Sequence, residues 1–311
     1  MKFPKYYLSA ATAFIIWGFF SFGLKPLHKY PSIDILFYRV FTCTLLMVII
    51  NFAFRKNKIT ETKAMLKALP KKERQNQWVL IAGSALLLTA NWGLFIYVMN
   101  HISVKAASFA YMVCPILTTF FAFFLLKEKL SKIQVTAVAI SLTSCTILAY
   151  NDLRSALFSV IVAATYALYL VIQKRIIMPD RFLLLTLQIG ITALFLLPFF
   201  PIYSGSVPTE AKFYIYILLI AGIFTIIPMF LNLYAMKGIN SSTIGILIYL
   251  NPLIGFMLAL FYFRENISFL QVLAYSLVAI SIVIFNIGSY RKTKTLQLKD
   301  PAVLNKSIHK A

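Results

Sequence analysis

The apolar residues of this chain come in blocks of about 20, and no other feature narrows the fold so far. A block of that length crosses a hydrocarbon core of roughly 30 Å as a single helix. Ten blocks can be read, at roughly 6–25, 33–54, 78–99, 106–126, 132–150, 155–173, 182–203, 212–232, 242–262 and 268–288. Little is left to face water. Of the 311 residues 60% are hydrophobic and 13% charged, against about 25% charged in an ordinary soluble domain. The expected fold class is an all-α polytopic membrane protein of ten transmembrane helices. The first block follows "MKFPK" but runs too long for a signal-peptide core and ends in "SFGLKPL" rather than a small-residue cleavage site, so it reads as the first span.

A net charge of +21 would suggest nucleic acid as partner in a soluble protein. Here its distribution has a different meaning. With the N-terminus inside, 23 of the 30 Lys and Arg residues fall in inward-facing segments and six in outward-facing ones, with Arg39 inside a span. The positive-inside rule then expects both termini in the cytoplasm. The basic tail from Arg291 suits contact with anionic headgroups. The lipid bilayer and a small-molecule substrate are the partners expected, nucleic acid is not, and a homodimer stays open.

The chain also carries one frame twice. "CPILTTFFAFFLLKEKLSKIQ", Cys114–Gln134, recurs 137 residues later as "NPLIGFMLALFYFRENISFLQ", Asn251–Gln271. Pro115 lands on Pro252 and Glu128 on Glu265. The expected domains are a first five-span repeat over 6–150, a second over 155–288 and a basic tail over 289–311. Five is odd, so the second repeat enters the bilayer from the opposite side, the inverted arrangement many secondary transporters use for alternating access. The bland alternative is that duplication built a larger bundle and nothing more.

Pro115 and Pro252 lie near the middle of spans four and nine. Each lacks an N–H and displaces the carbonyl four residues back, those of Tyr111 and Ile248. Such defects are tolerated at membrane depth only when buried in protein or lining a wet cavity, so they point either to a central cavity or to packing kinks. Small residues share the prolines' helix faces, Gly245 among them, and these suit close helix approach or a cavity wall alike. Thirteen residues beyond each proline, or about 20 Å along a helix, Glu128 and Glu265 reach opposite interfaces. Lys127, Lys129 and Arg264 flank them, which suits anchoring; a gating role is the alternative.

Arg39 in span two is costly in hydrocarbon and is a functional candidate by default, against snorkelling to the outer headgroups. Asn91 in span three, with Trp92 beside it, either binds substrate or joins a neighbouring helix. None of the nine acidic residues falls at mid-membrane, where a proton-coupled exporter usually keeps one. Cys43, Cys114 and Cys145 lie within spans, so a disulfide framework is not expected. His28, His101 and His309 form no metal pattern, and there is no phosphate-binding G-x-x-x-x-G-K-[ST] loop. No cofactor is expected.

The stretches "WGFFSFGLKPL", "FYRVF", "NWGLFIYVMN", "ASFAYMVCPILTTFFAFFLLKEKLSKIQ" and "STIGILIYLNPLIGFMLALFYFRE" resemble EamA-type transporters of the drug/metabolite transporter superfamily, most of all the RarD branch, named for chloramphenicol sensitivity. The resemblance covers roughly residues 6–288. It implies two inverted EamA repeats in a bacterial inner membrane and movement of small metabolites or drugs, often outward. Two departures stand out: Cys114 occupies a position where first-half members often carry Asn, and Tyr166-Ala167 stands where a repeat of Trp17-Gly18 would fall. The expected function is a secondary transporter, not an enzyme, with Trp17, Arg39, Asn91, Tyr111, Pro115, Tyr249, Asn251 and Pro252 along the substrate pathway. An intramembrane enzyme would want a converging His, Asp, Glu or Cys cluster. A scaffold or sensor would want a partner domain or a long structured loop.

Overall fold

The computed structural model describes residues 3–101, 104–149, 153–262 and 269–299, and every regular element among them is helical. The first half holds α1 (Phe3–Gly18), the short α2 (Phe20–Leu24), α3 (Ser32–Phe54), α4 (Lys56–Ala68), α5 (Lys71–His101), α6 (Val104–Leu126) and α7 (Lys132–Ala149). The second holds α8 (Leu153–Gln173), α9 (Arg181–Leu196), the one-turn α10 (Phe200–Tyr203), α11 (Ala211–Ala221), α12 (Ile227–Ala235), α13 (Ser241–Leu247), α14 (Leu250–Phe261) and α15 (Phe269–Lys299).

Four stretches are long and apolar enough to cross a membrane: Ser32–Phe54, Lys71–Phe95, Arg181–Tyr203 and Ala211–Ala235. Five shorter apolar helices accompany them, at Ala110–Leu126, Lys132–Ile147, Leu157–Gln173, Ser241–Ile254 and Val272–Gly288. The basic loop 55–77 is mostly helix: α4 fills its first part and α5 begins at Lys71, ahead of the apolar block. The last helix likewise outruns its block, to Lys299.

Burial is distributed as a lipid solvent demands. Large apolar side chains such as Leu8, Phe54, Leu194 and Phe261 face outward, while Ser84, Ser141, Gln173, Gln188 and Thr192 are wholly enclosed. Hydrocarbon offers no hydrogen bonds, so these polar groups find one another across helix interfaces. Gln188 Nε2 donates to Ser84 Oγ (2.6 Å) and Gln173 Oε1 (3.2 Å). Thr89 donates to Thr192 (3.0 Å), Ser141 to Ser281 (2.9 Å) and Asn51 Nδ2 to Thr186 Oγ1 (2.7 Å). The chain is an all-helical membrane protein.

The packing has a regularity beyond the sequence repeat. Exchanging the two halves turns the α6–α8 contact into that of α13–α14 with α1, the α1–α12 contact into α8–α5, and α3–α11 into α9–α5. The pairs α6–α13, α3–α9 and α7–α15 turn into themselves. The halves are therefore interleaved rather than set side by side.

The two repeated prolines behave differently. The helix α6 runs through Pro115 unbroken. At Pro252 the chain breaks into α13 and α14 with a turn at Ile248 and Tyr249. The carbonyl freed on Ile248 is taken up by the Asn251 N–H at 3.0 Å, a tighter three-residue bond. A third proline, Pro228, has a larger effect. It leaves the Phe224 carbonyl without its donor, and the helix between α11 and α12 widens into a π turn over Gly222–Ile226.

Gly245 is where α13 meets α6. A Cβ there would lie 2.9 Å from Thr118 Cβ and 3.4 Å from the Pro115 carbonyl. We predict that Gly245→Val destabilises the protein by about 1–3 kcal/mol through overpacking, seen as a lower thermal midpoint in detergent. Gly83 on α5 has no neighbour within 4 Å of such a Cβ, so Gly83→Ala should leave the midpoint unchanged or raise it, by up to about 1 kcal/mol in helix propensity.

Candidate functional site

Two polar clusters lie between the halves. The inner one centres on Arg39, eight residues into α3. Its guanidinium folds over the indole of Trp92 on α5, with Cζ 4.3 Å from the ring centroid. This is a cation–π contact within the bundle. The Nε atom is shielded and without a hydrogen-bond partner. Cys43, one turn on, and the Tyr111 hydroxyl of α6 are its polar neighbours. The Tyr111 ring packs on Phe95 at 5.4 Å, and Tyr166 of α8 stands within electrostatic range of Tyr111 and Cys114.

Trp17 joins Tyr166 from α1. Its ring meets Phe14 at 5.5 Å and Tyr166 edge-on at 6.4 Å. Its indole N–H donates to the Phe224 carbonyl at 2.9 Å, the group that Pro228 leaves without a partner. Two more donors dress the same π turn: Thr225 Oγ1 reaches the Ile220 carbonyl (2.9 Å) and Cys43 Sγ the Ala221 carbonyl (3.6 Å). Helices α1 and α3 of the first half thus satisfy a backbone defect in the second. Trp17, expected along the substrate pathway, is a structural donor to the second half.

Other candidates serve the helix interfaces. Asn91 is buried and its amide N–H groups go to Val162 O (3.0 Å) and Thr165 Oγ1 (3.2 Å) on α8. Tyr249 is fully buried beside Ser141 and Cys145 of α7 and within electrostatic range of Cys114 on α6. Asn251 and Pro252 sit at the break between α13 and α14, and Pro115 sits under Gly245. Glu265 lies outside the described residues. Cys43, Cys114 and Cys145 are all buried free thiols.

The second cluster lies at the end that charge counting assigns to the cytoplasm, and it centres on Glu128. After α6 the chain turns sharply: Lys127 adopts φ 55°, and the Glu128 N–H closes on the Ala122 carbonyl at 3.2 Å. A left-handed backbone costs a non-glycine residue roughly 1–2 kcal/mol. It aims the Glu128 carboxylate across the molecule at the first turn of α13. There it accepts from Ser241 N–H (3.0 Å), Ser242 N–H (3.2 Å) and Ser242 Oγ (2.7 Å). The residue before that helix, Asn240, makes no side-chain cap of its own. Glu128 therefore caps a helix 113 residues away, with charge-assisted bonds and a favourable helix dipole.

Neighbouring bonds join the same end. Lys174 Nζ donates to the Met236 carbonyl and Arg175 to the Leu125 carbonyl. Gln77 bridges to Arg175 O (3.3 Å) and Ile177 N (3.0 Å), and Arg55 pairs with Asp180 at 2.6 Å. Burial lowers the Lys174 ammonium to about 8, with the charge of Glu128 opposing the shift. At the opposite end, Lys29 pairs with Glu210, and Asp34 accepts from Gly205 N–H at 3.1 Å.

Sequence reading missed Ser241, Ser242 and Lys174 as partners of Glu128, and Pro228 as the origin of the π turn. The Ser241-Ser242-Thr243 run opening a span and the mid-block proline were the available signals.

A profile of the EamA-like transporter family matches this chain twice, over residues 4–150 and 153–287. The uncharacterized transporter YojE of Bacillus subtilis (strain 168) is 28% identical over 292 residues, covering 90% of this chain and 93% of that one. Protein RarD of Salmonella typhi is 26% identical over 286 residues (89% and 93%), and Protein RarD of Escherichia coli (strain K12) is 24% identical over 286 residues (89% and 92%). One crystal structure shares the fold with a TM-score of 0.67 at 16% identity, covering 91% of this chain and 97% of that one. On the strength of these matches, which take in both halves, the chain belongs to the EamA-like transporter family.

Proposed function

We propose that this protein is a secondary transporter that moves small metabolites or drugs across a bacterial inner membrane by alternating access, in the export direction. In this reading the chain forms ten spans in two inverted five-helix repeats, with both termini cytoplasmic. The observation that carries it is the exchange of helix contacts between halves, which sets the Arg39 cluster and the Glu128 cap between two equivalent units. Inverted repeats of this kind rock around a site near the bilayer midplane, often against a broken helix. The break at Ile248 and Tyr249 supplies such a helix. Each long-range polar tie at the loops also joins segments assigned to one side, as the ten-span topology requires.

The broad test is flux. Purified protein in liposomes should show saturable uptake from a pool of amino acids, related metabolites and chloramphenicol. With no acid at mid-membrane, that flux should be indifferent to a pH gradient. Absence of flux from folded protein would sink the transport reading, and gradient-driven flux would return attention to Glu128 and Glu265.

Glu128 acts here as a latch on the inward end. Glu128→Gln keeps the shape and removes the charge, at a cost of about 1.5 kcal/mol for a charge-assisted bond, or roughly tenfold in population. In a variant retaining Cys114 alone among the cysteines, maleimide labelling from the cytoplasmic side should rise by about that factor. An unchanged rate would make Glu128 a fixed anchor.

The latch has a pH signature as well. Lys174 falls to about 8 in the fold from 10.5, so between those values the unfolded chain binds more protons. Stability should therefore rise with pH across that window, and below about 8 the full penalty is present. Lys237, lowered in the same direction by burial, contributes too. Lys174→Met should flatten most of the rise in thermal midpoint between pH 8 and about 10.

A further inference from the structure

Among the described residues the guanidinium of Arg39 has no counter-ion. Among the described residues the ion pairs are Lys29–Glu210, Arg55–Asp180 and Lys58–Glu61, all at the ends of the molecule. Asp34, the acid nearest in sequence, is committed to the Gly205 N–H. What Arg39 has is one indole face, a thiol and a phenol, with Nε shielded and unpartnered. Arg39 is only partly exposed, with Nε fully shielded, and a cation–π contact offsets only part of the cost of taking a cation out of water. A charge without an opposite partner inside a membrane bundle marks a place where charge is supplied from outside.

We infer that Arg39 is the anion-binding point of the substrate site, and that the ligand is a small organic carboxylate with an apolar or aromatic body. This rests on the transport reading above and names its substrate class. The choice of a carboxylate follows from the donor: a planar fork of N–H groups matches a planar pair of oxygens in two parallel bonds. Trp92 holds the plane of the fork. The apolar body follows from the surrounding rings: Trp92 stacks on the guanidinium, Tyr111 beside it packs on Phe95, and Tyr166, in electrostatic range of Tyr111, meets Trp17 edge-on. Aromatic walls with few convergent polar groups are the ordinary make-up of small-ligand sites.

The assignment also carries a stability signature. If Arg39 were a structural element, its loss would weaken the fold. As an unpaired cation awaiting a ligand, it makes the empty protein less stable than a neutral replacement would.

The experiment is thermal unfolding of the full-length chain in detergent, with matched probes at equal concentration: phenylacetate and indole-3-acetate, their amides, phenethylamine, sodium chloride and inorganic phosphate. Wild type should be stabilised by the two carboxylates and not by the amides or the amine, since only a ligand that binds the folded state raises the midpoint. Arg39→Gln should lose that shift while unfolding, empty, at or above the wild-type temperature. Arg39→Lys, a point charge without the fork, should keep a shift that needs roughly tenfold more ligand. Equal shifts with chloride or phosphate would reduce the site to a bare inorganic-anion site and overturn the carboxylate assignment. So would equal shifts with the amides, no shift with either carboxylate, or an empty Arg39→Gln protein less stable than wild type. Carboxylate binding without flux would defeat the transport reading while leaving this site standing. Flux of neutral solutes unaffected by Arg39→Gln would do the reverse.

Discussion

Hydrocarbon supplies no hydrogen bonds, and the structure follows from that constraint. A helix meets it automatically until a proline removes a donor, and then some other group must serve the freed carbonyl. This chain answers the problem in more than one way. At Pro252 the backbone tightens, and Asn251 N–H takes the Ile248 carbonyl. At Pro228 it loosens into a π turn, and the Phe224 carbonyl is served from another helix by Trp17. The second solution ties the first half of the chain to the second. A defect in one repeat becomes a specific contact between repeats, and it fixes the indole beside Tyr166 and the Arg39 cluster.

The same constraint explains what was legible in the sequence. Block length and composition report directly on a solvent with no hydrogen bonds, so the helical membrane fold could be read from them. The duplicated frame from Cys114 to Gln134 likewise announced two related halves. Side-chain partners were harder, because they depend on which helices touch. Asn91 reads equally as ligand or as glue until α8 is seen to bring Val162 O and Thr165 Oγ1 against it. Glu128 reads as an interfacial anchor among lysines until Lys127 turns the chain and α13 arrives with two open N–H groups. Tyr249 reads as a pathway residue from its place near Pro252, and its neighbours on α7 and at Cys114 come into view only once the break sets its helix face.

Charge placement makes a consistent pattern once partners are known. The carboxylate at Glu128 meets backbone N–H groups at a helix start, where the dipole welcomes it. The cations Lys174 and Arg175 meet carbonyls at helix ends. These ties use short-range, geometry-dependent bonds at the rim of the bundle, where water is near and breaking them is affordable. Arg39, deep in a span, departs from that pattern: its contacts among the described residues are a ring, a thiol and a phenol rather than a carboxylate or a carbonyl.

The two repeats share a frame yet differ in conformation, and the difference bears on mechanism. If inverted halves adopted the same conformation, each end of the molecule would be as open or closed as the other. Access from one side only requires the halves to differ, and to trade that difference in the alternate state. Here α6 passes Pro115 unbroken while its counterpart divides at Pro252. The broken member is held at its start by Glu128 and near the break by the contact of Gly245 with Thr118. Both restraints come from α6 and the turn that follows it. The straight helix of one half therefore holds the bent helix of the other. In the transport reading, a change of state means that α6 and α13–α14 exchange these roles. The repeated proline is what allows it: the residue gives each helix a place to bend, and the partner half decides which of them does.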